Sequence, residues 1–225
     1  MRRLLVLTAV DVEARGLARH LGLAPVPGSF LRFGGGPVEI AVVGLAAAHL
    51  HARLSAAPAA GTLVISAGAC GALAPELAVG ALVAPETVRA ADGRRLPTAA
   101  VGGLTRQGML ASVDRVLEDA AAKSRLWLET GALAVDMESA AILDWAAGHG
   151  LPAAVVRAVS DPAGRGVPGD LARVVQDDGR LRPLRAVSAV LARPRALADA
   201  MALRAGAAAA LKTVAGALGK LQRTL

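Results

Sequence analysis

The sequence predicts an α/β protein, a three-layer αβα sandwich around a central mixed, largely parallel sheet, and three observations carry the prediction. Four short apolar runs read as buried strands, each followed at once by small or acidic residues. Ala- and Leu-rich stretches suited to helices lie between them. A chain of 225 residues, 54% hydrophobic with 25 Gly and 12 Pro, is long enough for one sizeable, turn-punctuated core and too apolar for disorder. One domain over residues 1–225 is expected, ending in a basic helical segment over 171–225.

The strands are expected over 4–9 before "VDVEA", 62–67 before a Gly-rich turn "GACGA", 132–135 before "DMESAA" and 153–159 before "SDPAG". Helices are expected over 11–21, 45–56, 108–124 and 138–149, with one or two more in the Ala- and Leu-rich stretch 195–223. Alternating strand and helix implies parallel pairing with helices on both faces. In such sheets the ligand crevice lies beyond the carboxyl ends of the strands, where the small and acidic residues fall.

Composition narrows the function classes. Two Trp, two Phe and no Tyr leave too few rings for a protein that stacks nucleic-acid bases. Cys70 is the lone cysteine and can form no internal disulfide, which fits a reducing cytoplasm. The four His, at 20, 49, 51 and 149, make no metal-ligand pair on a helix, so no metal is expected. The opening "MRRLLVLTAV" reads as a first strand and not a leader, and no uncharged apolar run reaches the length of a membrane span. The net charge of +7 is uneven: residues 1–170 carry 15 basic and 15 acidic side chains, residues 171–225 carry 10 and 3. That basic tail reads as a solvated helix surface, or as a peripheral contact with an anionic membrane face.

The stretch "GALAVDMESAA", residues 131–141, sets Asp136 and Glu138 in an apolar run with no basic residue beside them. A carboxylate at a strand-to-helix junction can cap the helix; a buried one can also be kept for chemistry. Position favours chemistry, because Glu13, Glu138 and Asp161 follow three different strands and can converge with the Gly-rich segment on one pocket. The Gly-rich segment lacks Gly-Lys-Ser/Thr and the dinucleotide fingerprint, which argues against phosphoryl and hydride transfer. Cys70 has no nucleophile context and reads as a small buried residue.

Four motifs in order, "TAVDVEARGL", "AGACGALAPELAVGALVAPETV", "AVDMESAAI" and "VVRAVSDPAG", resemble the nucleoside phosphorylase and nucleosidase superfamily, which includes methylthioadenosine/adenosylhomocysteine nucleosidase and futalosine hydrolase. The match runs to about residue 165. By "TGALAVDMES", "SDPAGRGVP" and the Arg-Pro steps of "LARPRAL", the sequence is most similar to the hopanoid-associated phosphorylases.

The resemblance implies cleavage of the N-glycosidic bond of a purine ribonucleoside, with no cofactor. It puts Glu13 on the residue that activates water and Asp161 on the general acid. Met137 and Glu138 fall on ribose contacts, Ser160 on a purine contact, and Gly68, Ala69 and Cys70 on the turn beside nucleophile and base. Asp136 is left to hold the strand or cap. The resemblance also implies a homodimer and, through its hopanoid branch, adenosylhopane as substrate at the inner membrane face; methylthioadenosine and futalosine are the soluble alternatives. Water is favoured over phosphate as nucleophile, since the first loop offers only Arg15 for an anion, but phosphate stays open as co-substrate. A silent nucleoside-binding or membrane-associated module is the non-enzymatic rival. Departures from the family pattern are Ala69 in place of a small hydroxyl residue, no polar start to "GLAAAHLHARL", and no base-stacking Phe before "GALAVDMES", where Trp127 is the nearby aromatic.

Overall fold

The computed structural model describes residues 3–166, 178–179 and 196–223. Much of the basic segment, 171–177, 180–195 and 224–225, lies outside the described residues, as do the later positions of "SDPAGRGVP" and most of "LARPRAL".

Among the described residues eleven strands form one mixed sheet: β1 Leu4–Thr8, β2 Ala24–Pro25, β3 Arg32–Gly35, β4 Val38–Val42, β5 Leu63–Ala72, β6 Leu82–Val83, β7 Thr87–Arg89, β8 Arg95–Pro97, β9 Met109–Ser112, β10 Ala134–Asp136 and β11 Ala153–Asp161. The path runs β2-β3-β4-β1-β5-β10-β9-β7-β8, with β11 on β5 and β6 on β11. The β1–β4, β1–β5, β5–β11, β9–β10 and β7–β9 pairs are parallel. The long strand β5 is the hinge of the topology. Its first half pairs with β1, almost its whole length pairs with β11, and its last residues Gly71 and Ala72 meet β10 antiparallel.

Helices α1 Asp11–Leu21, α2 Leu50–Arg53, α3 Ala120–Thr130, α4 Ser139–Gly148 and α5 Ala196–Gln222 flank the sheet. Alternate residues of β1 divide between the two faces. Leu4 and Val6 join Ala14, Leu17 and Ala18 of α1 and Val214, Leu218 and Leu221 of α5, while Leu5 and Leu7 join Ile142, Leu143 and Trp145 of α4. Coverage on both faces is why these strands read as continuous apolar runs and not as alternating ones.

Three expected elements are corrected. The "GACGA" turn is strand: β5 continues through Ala72 because β11 supplies partners as far as Gly71. The helix over 45–56 is a 3-10 turn, Leu45–Ala47, and the single-turn α2, broken where Ala46 and Ala47 take left-handed backbone angles. The helix over 108–124 is strand β9, a loop, and then α3, whose start is fixed by Asp119 accepting from the Ala122 amide at 2.7 Å. The helices over 11–21 and 138–149 stand within a residue of expectation, and 196–222 forms one helix.

Candidate active site

Just past β1 and β10, and against the last residues of β5 and β11, lies a cavity of about 250 Å³. Glu13, Ala69, Cys70, Met137, Glu138, Ser160 and Asp161 all line it, so seven of the eight expected site residues converge. Gly68 stands behind the wall. A Cβ there would come within 2.5 Å of Glu13 Oε1, and its φ of +147° is one that side chains rarely adopt, so Gly68 is what lets Glu13 lie against β5.

Glu13 is the third residue of α1, and its carboxylate is held by three backbone amides: Oε2 accepts from Ala9 at 3.2 Å and Val10 at 3.4 Å, Oε1 from Ala69 at 2.8 Å. The Val10 contact is half of a capping box, so Glu13 serves the helix as well as the cavity. Burial raises its pKa, opposed in part by Arg157 and these amides.

Asp136 and Glu138 are joined by a residue the sequence reading passed over. Arg157, in the middle of β11 and only 1% exposed, places Nη2 2.9 Å from Asp136 Oδ2 and 3.2 Å from Glu138 Oε2. It also donates from Nη2 to Ser66 Oγ and from Nη1 to the Ala69 carbonyl. Asp136 accepts from the Ser139 amide and hydroxyl, which gives it the capping role expected of it. Glu138 Oε1 accepts from the Ala46 amide at 3.1 Å. The left-handed angles at Ala46 and Ala47 aim that amide, strain retained where the chain meets the cavity. Burial pushes the Glu138 carboxyl up to about 7, against the pull of Arg157 and with help from Asp136 and Glu13.

At the far end of the cavity Ser160 Oγ is 2.7 Å from Asp161 Oδ1 and 3.2 Å from the Cys70 carbonyl. Lys123 of α3, likewise 1% exposed, forms an ion pair with Asp161 Oδ2. Burial pushes the Cys70 thiol well up, which keeps it protonated and unsuited to nucleophilic work. Apart from Arg115, the remaining wall is apolar, with Leu45, Val113, Val116, Leu117 and Val135. Trp127 is not part of it; its ring packs with Leu73, Met109 and Ala132 beneath α3. Arg15 is also elsewhere, 59% exposed and 3.9 Å from Asp11. Among the described residues no group of three or more His, Cys, Asp and Glu side chains could hold a metal ion.

The profile of the phosphorylase superfamily matches residues 98–192. Futalosine hydrolase of Streptomyces coelicolor is 33% identical over 204 residues, covering 72% of this chain and 84% of that protein. The chain belongs to the phosphorylase superfamily. It is an enzyme of the N-glycosyl hydrolase or nucleoside phosphorylase kind. Solved structures share the superfamily fold over the whole chain. A mutant of Helicobacter pylori MTAN with 5'-methylthioadenosine in its active site aligns with a TM-score of 0.71 at 16% identity, covering 100% of both chains. The 5'-methylthioadenosine/S-adenosylhomocysteine nucleosidase of Neisseria meningitidis, in complex with methylthio-immucillin-A, gives 0.70 at 18% with the same coverage. Futalosine hydrolase of H. pylori gives 0.69 at 17%, covering 100% of this chain and 98% of that one.

The two buried cations are what sequence reasoning missed. Arg157 carried one signal: a guanidinium inside an otherwise apolar strand must find buried acidic partners. Lys123 carried none, since a Lys among Ala and Ser in a helical stretch looks like any solvated surface residue.

Proposed function

We propose that this enzyme hydrolyses the N-glycosidic bond of an adenine-type purine ribonucleoside. The observation that carries the reading is the convergence of Glu13, Glu138 and Asp161, from three different strand ends, on one largely apolar cavity. Breaking such a bond requires a proton for the departing base, negative charge near a cationic, oxocarbenium-like sugar, and a nucleophile on the opposite face. Glu13, fixed by its three amides with lone pairs still free, takes the proton of the attacking water. Glu138, held by Arg157 and the Ala46 amide, accepts from the ribose hydroxyls beside Met137. Asp161, with Ser160, engages the purine and passes it a proton. Ala69 and Cys70 of β5 separate the water end from the base end, and Gly68 gives Glu13 its room.

Water is favoured over phosphate because of where the guanidiniums lie. Arg157 is taken up by Asp136 and Glu138, and Arg15 points away from the cavity. Arg115, in the cavity wall, stands exposed on the loop after β9. The curated relative sets futalosine beside methylthioadenosine as a substrate to test. Adenosylhopane is the third candidate, though the tail motif that suggests it lies mostly outside the described residues. Incubation with each nucleoside and chromatography of the free base tests the reading. Turnover of at least one, lost by roughly 100-fold or more in Asp161→Asn and Glu138→Gln, is expected. Tight binding without cleavage would favour the silent module.

A further inference from the structure

Lys123 is the one buried residue of α3, and no step above uses it. Its Nζ pairs with Asp161 Oδ2 and lies 3.0 Å from the Pro162 carbonyl and 3.5 Å from that of Asp161. Two glycines make the approach possible. A Cβ on Gly71 would stand 3.0 Å from Asp161 Oδ2 and 3.2 Å from Lys123 Nζ. One on Gly166 would collide with the backbone of Glu118 and Asp119, so the loop after β11 presses directly on the start of α3. A buried ion pair contributes little to stability that apolar residues of the same volume could not. Its position in the cavity wall beside the leaving-base end calls for another explanation.

A general acid must arrive carrying a proton. The neighbours of the Asp161 carboxylate are the Lys123 ammonium on Oδ2 and the Ser160 hydroxyl on Oδ1. The other charged and titratable groups around the pair are the protonated Cys70 thiol on β5, Asp136 on β10 with its Arg157 partner on β11, and Arg115 in the loop. Of these, the ammonium is the proton-bearing titratable group in contact with Asp161.

We infer that Lys123 is the proton source for the leaving base, with Asp161 as the relay. The inference rests on the N-glycosidic reading above. As the bond from the anomeric carbon to the ring nitrogen breaks, its electron pair goes to the base. Asp161 gives the base a proton and takes one from Lys123, which is left as a neutral amine beside an unchanged carboxylate. The proton that Glu13 removes from water returns through solvent to the amine as products leave. Free sugar and neutral base are formed, and the enzyme is restored.

Lys123→Arg separates supply from placement, because a guanidinium keeps the charge and donates hydrogen bonds but does not release its proton. The full chain and this variant are assayed on the nucleoside the wild type cleaves and on 4-nitrophenyl riboside, whose leaving group departs without protonation. The expected result is a loss of roughly 100-fold or more in kcat on the nucleoside with the nitrophenyl rate within a few-fold of wild type, a split that also shows the variant is folded. Equal losses on both substrates, or a nucleoside rate near wild type, would overturn the inference. Wild-type protein inert toward both would instead remove the N-glycosidic reading beneath it.

Discussion

At the scale of single residues, the carboxylates set the pH response. Burial raises Glu138 from 4.5 to about 7, so between those values the folded chain holds a proton the unfolded chain has released. Its stabilising contribution is complete below about pH 4.5 and is lost as pH climbs through 7; Glu13, also raised, acts in the same direction. Calorimetry from pH 5 to 8 should show wild type losing on the order of 1–3 kcal/mol relative to Glu138→Gln, and a gain would contradict the assignment. In its proposed role the same carboxyl must be ionised to accept from sugar hydroxyls, so kcat/KM should fall as pH drops below about 7. Gly68→Ala drives a methyl into the Glu13 carboxylate and should abolish turnover, whereas a rate near wild type would remove Glu13 from the reaction. The three carboxylates were legible because each follows a strand in the sequence. Arg157 and Lys123 were not, since what makes them part of the site is acidic partners 19 to 38 residues away along the chain.

Among the elements, α5 shows how a helix outside the cavity wall positions it. Gly206 faces the Ser160 carbonyl so closely that a Cβ would collide with it, while Gly216 has no atom near enough to meet one. In an isolated helix both Gly→Ala changes would stabilise by about 0.5–1 kcal/mol. Here only Gly216→Ala should raise the Tm; Gly206→Ala should lower it and reduce kcat/KM by pushing Ser160 and Asp161 off the cavity. Equal stabilisation by both would mean that α5 does not bear on β11. The strand-helix alternation that predicted the fold could be read because long buried strands and Ala- and Leu-rich helices leave strong local patterns. The short strands β2, β6, β7 and β8 could not, having two or three residues each and depending on their neighbours in the sheet. The segment over 45–56 misled for a related reason: alanine favours helix, but the Glu138 contact holds Ala46 in a left-handed turn that propensity disfavours.

For the molecule as a whole, two experiments separate the readings of the basic tail and of the nucleophile. Residues 200–222 are long and apolar enough by composition to cross a membrane, yet Leu211, Val214, Leu218 and Leu221 are buried against α1 and the sheet. These four side chains alone are worth roughly 6–12 kcal/mol of burial, so deleting the helix should leave no folded protein. If the tail contacts membranes as proposed from its charge, adsorption to anionic liposomes through Arg204, Lys212 and Lys220 should be electrostatic and vanish at 1 M salt, where charges are screened within about 3 Å; sedimentation that persists there would show insertion. Hydrolysis by Glu13, Glu138 and Asp161 is open to a decisive product analysis, run in phosphate-free buffer and again with phosphate added. Free base and free sugar should form at the same rate in both. An absolute phosphate requirement with a sugar 1-phosphate product would contradict it.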